Sequence, residues 1–291
     1  MNPKAKRLRE MLVQPGPVVS IGIWDAFSAI VAEQEGFELL TLFGSMTSWS
    51  MIGKPDSGNI TQTEMLDAAR RAIQVTSVPV IVDCDDGFGD PLNVRRTVKL
   101  VEQIGAAGMY IEDLRRPLRC SALGGGRLIS SDAMVQKIRA AVEARSDPDF
   151  FIMARTDDYE GVDELVVRCR KYVEAGVDMI LAIGLTSVED MAKAGREAGV
   201  PISTIQAAGT RMPLLPRDTL AEMGYKVIFH VPTMFSAAAH SMREAARNLK
   251  ADLDAGTTQP REMPGPNPVE MEKMCGLDED DALQIRYSIP D

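Results

Sequence analysis

Eight times along this chain a short apolar run of strand length is followed by a segment of helical period, and no other feature narrows its possible folds as much. The runs are PVVSIGIWD, ELLTLFG, VPVIVDCD, GMYIED, FFIMARTD, DMILAIG, PISTIQ and KVIFH. Amphipathic stretches such as AFSAIVAEQEG and LNVRRTVKLVEQIG follow them. Apolar strands alternating with helices are those of a parallel sheet covered on both faces. Eight such units in about 230 residues predict an α/β fold, a closed (β/α)8 TIM barrel. A doubly wound open sheet is the alternative, disfavoured because the first turn is not Gly-rich. The barrel is expected over residues 1–255, opening with a helix in MNPKAKRLREML. From residue 256 the composition turns Pro-rich, TTQPREMPGPNP, and a last helix is expected in VEMEKMCGLDEDDALQIRYS. A barrel does not need this 256–291 extension, which is expected to pack on the outside or on a neighbouring subunit.

The formal net charge of −10 argues against nucleic acid or an anionic membrane as partner, since both want a basic face. No segment has the apolar length of a membrane span and the N-terminus is amphipathic, so a cytoplasmic location is expected. The four cysteines form no CxxC pair, and reduced thiols suit the cytoplasm. With only two histidines, His230 and His240, a metal here would be bound by oxygen, as Mg²⁺ or Mn²⁺.

In such barrels chemistry sits at the carboxyl-terminal ends of the strands. There the chain places Trp24 and Asp25, Gly44 and Ser45, Asp83, Asp85 and Asp86, Glu112 and Asp113, Arg155 with Asp157 and Asp158, and His230. Strands six and seven offer only Gly184 and Gln206. Three carboxylates within four residues, Asp83 to Asp86, gain nothing from burial unless something positive sits among them. The alternative is a solvated acidic rim. Carboxylates converging from several strands hold a hard cation with water left on it, and a strand-end guanidinium opposite them can fork onto an anion. The long loop LRRPLRCSALGGGRLI after strand four reads as a lid carrying Cys120.

These residues also carry a resemblance. WDAFSA, GSMTS, the GKPD loop from Gly53 to Asp56, VDCDDGFG, YIEDLRRPLRC, RLIS, IRAAVEAR and ARTD resemble, in order, the isocitrate lyase/phosphoenolpyruvate mutase superfamily. The nearest branch is that of 2-methylisocitrate lyase, carboxyphosphonoenolpyruvate mutase and oxaloacetate decarboxylase. The resemblance implies a Mg²⁺-dependent barrel acting through an enolate on a small anionic 2-oxo or 2-hydroxy diacid. It implies Asp85 as direct metal ligand, and Asp83, Glu112 and Asp56 as acids holding the metal, some through water. It implies Gly44 and Ser45 as donors to the substrate carboxylate, with Trp24 and Asp25 beside the substrate. Arg155 would bind a second carboxylate and Cys120 would serve as lid acid or base. It also implies a homotetramer with the C-terminal helix exchanged between subunits.

The chain departs from the lyase pattern in the lid. Lys-Arg-Cys-Gly-His is replaced by Leu118-Arg119-Cys120-Ser121-Ala122, and a strand-six Glu and strand-seven Asn fall on Ile183 and Ile205. A site more apolar on that side is not expected to hold a tricarboxylate. The leading expectation is Mg²⁺-assisted C–C cleavage, as a lyase or a decarboxylase. P–C chemistry on a phosphonopyruvate-type substrate and a non-catalytic oxo-acid-binding barrel are the alternatives.

Overall fold

The computed structural model describes residues 1–256 and 264–287; most of the Pro-rich connection, 257–263, lies outside the described residues. Helix α1 (Pro3–Val13) is followed by β1 (Val18–Ile23), α2 (Ala26–Gln34), β2 (Leu40–Leu42), α3 (Gly44–Thr47), α4 (Gln62–Gln74), β3 (Val80–Asp83), α5 (Pro91–Gln103), β4 (Gly108–Glu112), α6 (Ser131–Ala144), β5 (Phe151–Asp157), α7 (Val162–Glu174), β6 (Met179–Ile183), α8 (Val188–Glu197), β7 (Ile202–Gln206), α9 (Arg217–Glu222) and β8 (Tyr225–His230). The strands pair in parallel in sequence order, and β8 closes on β1 with Val18 opposite Val227. This is the (β/α)8 barrel expected.

Buried strands make the barrel because both of their faces are covered: all of β3, β4, β5, β6 and β7 is buried. Polar side chains inside pair with one another, as Ser20 and Thr41 do through their hydroxyls at 2.7 Å. Phe43 packs tilted on Tyr110 and edge-on to Phe229, with centroids 6.2 and 5.9 Å away. Local signals start the helices where the sequence places them: Thr61 and Glu64 form the expected capping box of α4, and Pro91 opens α5.

Helix α1 seals the amino-terminal end of the barrel. Asn2 Nδ2 donates to the carbonyls of Gly105 and Ala106 ahead of β4, and Arg9 pairs with Asp178 ahead of β6 at 2.7 Å. The mouth left for chemistry is therefore the carboxyl-terminal one.

The barrel also depends on one close approach outside the site. A Cβ on Gly195, in α8, would lie 1.9 Å from the carbonyl oxygen of Met223, which is backbone and cannot turn aside. Gly195→Ala is expected to lower stability by about 1–3 kcal/mol, read as a lower urea midpoint at unchanged slope. A midpoint equal to that of the wild type would show that α8 can shift freely.

Residue contacts divide the chain into Met1–Thr233 and Met234–Asp291, so the helix after β8, α10 (Thr233–Asp254), groups with the tail and not with the barrel. The single C-terminal helix expected is two, α11 (Pro268–Met274) and α12 (Leu277–Tyr287). The chain breaks at Gly276, whose φ of 103° no helix accommodates. Among the described residues no helix is long and apolar enough to cross a membrane.

Candidate active site

The three carboxylates at the end of β3 and just beyond it meet three different fates. Asp86 is forked by Arg116 of the lid, whose Nε and Nη2 donate at 3.0 and 2.7 Å. Asp83 accepts from the backbone N–H of Gly44 at 2.9 Å and of Asp85 at 3.1 Å. Asp85 is left over: its Oδ2 is buried with no hydrogen-bond partner, and Arg116 comes only to 3.8 Å. Burial first, and then the charges of Asp83 and Asp56, push its carboxyl well above the usual range. Asp85 also sits at φ 47°, a left-handed conformation rare for a residue with a side chain. A buried, strained, unpartnered carboxylate among other carboxylates is where a cation would be most strongly held. Gly44 makes this crowding possible, since a Cβ there would meet Asp83 Oδ2 at 3.0 Å and Asp85 Oδ1 at 3.1 Å.

The other expected acids stand nearby. Asp56 faces the same cavity as Asp83, and burial with the charge of Asp83 raises its carboxyl to about 6. Glu112, at the end of β4, pairs with Arg155 Nη1 at 2.9 Å. Among the described residues no group of three or more such side chains closes into a ready-made metal cage. A donor set made of oxygen, with one carboxylate oxygen open, suits a hydrated cation better than an all-protein cage.

Beside the acids lies a cavity of about 170 Å³. Asp56, Asp83, Ser45 and Arg155 line one part of it. Phe43, Ala122, Ile183, Ile205 and Val231 form an apolar wall, and Cys120 faces the same space from the lid. Ile183 and Ile205 both face this cavity, so the expected apolar side is present. Gln206 is taken up by the loop after β7, where its Oε1 accepts from Leu215 N at 2.9 Å.

Arg155 is almost completely buried. Besides Glu112 it forks onto Asp157, Nε to Oδ1 at 2.9 Å and Nη2 to Oδ2 at 3.1 Å. Three of its five N–H groups are thus used, and the rest remain for a substrate anion. Burial pushes the Cys120 thiol up to about 12, with Arg155 opposing, so the group is a protonated thiol.

Asp85, Gly44 and Glu112 do not line this cavity themselves but are joined to residues that do, the first two to Asp83 and the third to Arg155; Trp24 and Asp25 do not line it either. Asp25 is exposed and caps α2: its carboxylate accepts from Ser28 N at 2.8 Å, completing a capping box. Trp24 is half-buried at the end of β1 and does not line the cavity. Conversely, Trp49 lines the cavity without standing at a strand end, and Arg116 of the lid is drawn to Asp86. The Arg115-Arg116 pair in the lid was a visible signal, being a positive partner for the acid run after β3.

A parallel barrel whose mouth gathers buried carboxylates, a buried arginine and a small cavity is the frame of an enzyme with a small-molecule site. The chain belongs to the phosphoenolpyruvate phosphomutase family, whose model matches residues 8–250, within the isocitrate lyase/phosphoenolpyruvate mutase superfamily. It is 38% identical to a 2-methylisocitrate lyase of Aeropyrum pernix, over 86% of this chain and 80% of that one. It is 37% identical to a 2,3-dimethylmalate lyase of Eubacterium barkeri, over 87% and 88%. Among solved structures, oxaloacetate acetylhydrolase with 3,3-difluorooxalacetate superposes with a TM-score of 0.90 at 30% identity, covering 99% of this chain and 98% of that one. A phosphonopyruvate hydrolase complexed with oxalate and Mg²⁺ superposes with a TM-score of 0.84 at 25% identity, over 98% and 99%.

Proposed function

We propose that this enzyme cleaves a C–C bond in a small 2-oxo or 2-hydroxy diacid, with Mg²⁺ or Mn²⁺, through an enolate. The Asp85 oxygen without a hydrogen-bond partner, next to Asp83 of a cavity that Arg155 also lines, carries the reading. Asp85 would hold the cation directly, and Asp83, Glu112 and Asp56 through water. When bound, the cation supplies positive charge where the enolate oxygen develops. A phosphonopyruvate hydrolase of the same fold, complexed with the small dicarboxylate oxalate and Mg²⁺, supports this choice.

The chain's own groups then have separable tasks. Ser45, with the Gly44 backbone, orients the substrate's oxo-acid end. Arg155 fixes a second carboxylate with its remaining donors. The apolar wall of Ile183, Ile205, Ala122 and Val231 excludes water and accepts an alkyl substituent, so an alkyl-substituted or short diacid fits better than a tricarboxylate. Cys120, protonated and facing the cavity, delivers a proton to the carbon released by retro-aldol cleavage.

Cys120→Ser separates two forms of the activity. A lyase needing this acid is expected to lose about 10²–10⁴ in kcat, whereas loss of CO₂, which needs no such acid, proceeds nearly unchanged. Proton NMR of the protein with oxaloacetate, 2-methylisocitrate, dimethylmalate, isocitrate and phosphonopyruvate, with Mg²⁺ and with EDTA, identifies the substrate. Release of phosphate from phosphonopyruvate alone would overturn the C–C reading. A homotetramer with an exchanged C-terminal helix remains part of the proposal, testable by light scattering with and without residues 256–291.

A further inference from the structure

We propose that Ser121 is a positioning residue that ties the lid to the substrate arginine, so that lid seating and the orientation of Arg155 form one unit. Ser121 is fully buried. Its backbone N–H and its hydroxyl both donate to Asp157 Oδ2, at 2.8 and 2.9 Å. The same carboxylate receives Nε and Nη2 of Arg155. Asp157 therefore accepts two hydrogen bonds from the lid and two from the arginine, and neither set moves without disturbing the other. A glycine at 121 could keep the backbone bond but not the hydroxyl.

The surroundings hold this serine in place. Arg211, from the loop after β7, donates Nη2 to the carbonyl of Ser121 at 2.6 Å, and its backbone N–H donates to the carbonyl of Ala122 at 3.2 Å. On the other side Gly184 leaves the space the hydroxyl fills: a Cβ there would come to 2.1 Å from Ser121 Oγ. The lid turn Ser121–Leu123 is thus seated between the ends of β5, β6 and β7. Cys120 immediately precedes it, so the same bonds set where the thiol faces.

The latch is independent of the identity of the substrate and can be tested without one. In a Cys275→Ser background the exposed thiol is removed, Cys84 and Cys169 are buried, and Cys120 reports lid opening through its rate of reaction with a small disulfide reagent. Ser121→Ala removes one charge-assisted hydrogen bond and is expected to speed Cys120 modification about tenfold. Arg155→Lys keeps the charge but removes the fork onto Asp157, and is expected to speed it as well. The double variant decides the matter. Coupling through Asp157 predicts an effect clearly smaller than the product of the two single effects. Two effects that multiply, or a Ser121→Ala rate equal to that of the parent, would overturn the proposal. A variant that merely unfolds reveals itself, because Cys84 and Cys169 then react too; if that is Ser121→Ala, Arg211→Ala, which loosens the same turn, replaces it in the cycle with Arg155→Lys, and if it is Arg155→Lys, Asp157→Asn replaces it, with the same expected coupling. The rate of the parent is measured first with EDTA, so the result stands whether or not a metal or an oxo acid is the true ligand.

Discussion

Asp85→Ala is expected to lower turnover of the substrate by about a thousandfold or more, the size of several kcal/mol of transition-state charge stabilisation. The reason lies in the inventory around it. Asp83 has backbone donors and Asp86 has Arg116, but Asp85 Oδ2 has no hydrogen-bond partner. Of the three carboxylates in the run Asp83 to Asp86, only Asp85 has a buried oxygen without a hydrogen-bond partner. The check is steady-state kinetics at saturating Mg²⁺, together with the rise in melting temperature that Mg²⁺ gives the wild type. That rise exists because a ligand that binds only the folded state stabilises it, and it should disappear in the variant. If Asp85→Ala kept a substantial rate and still gained stability from Mg²⁺, the metal would have to be held elsewhere or play no part.

Arg155→Met should be the most damaging single change to the fold at this mouth. It leaves Glu112 and Asp157, both buried, without their cation. Breaking a buried pair from one side costs about 3–5 kcal/mol, because the remaining charge stays desolvated. Here two carboxylates are stranded, so the loss is expected at the upper end of that range. Urea unfolding measures it. Arg155→Lys retains the charge and loses the planar fork, so it should cost less stability and show its effect chiefly as a higher KM for a diacid. An Arg155→Met protein as stable as the wild type would mean that Glu112 and Asp157 are protonated at no expense, and the arginine would then be free of a structural role.

Much of the candidate site was legible in the chain because barrel geometry converts sequence position into place. Once eight strand–helix units are counted, the residue at each strand's end is known to face one mouth, and Asp83, Asp85, Glu112 and Arg155 follow. Asp25 shows where that rule fails. It occupies a strand end, but an acid followed three residues later by Ser28 can also cap a helix, and the local bond to Ser28 takes the side chain.

By itself, then, the order of residues determined the eight units, the caps that begin α4 and α5, the acid run after β3 and the lid cysteine, because each depends on spacing within a few residues. Only the tertiary structure decided which acid is left without a partner. Arg116 lies thirty residues from Asp86, and the folded lid alone brings it there and not to Asp85. It likewise decided that Ser121 and Arg155 share Asp157, a meeting across 36 residues that no local pattern encodes. Charges close in sequence repel wherever they are placed, but the choice of which is neutralised rests on long-range packing, and that exists only once the barrel has closed.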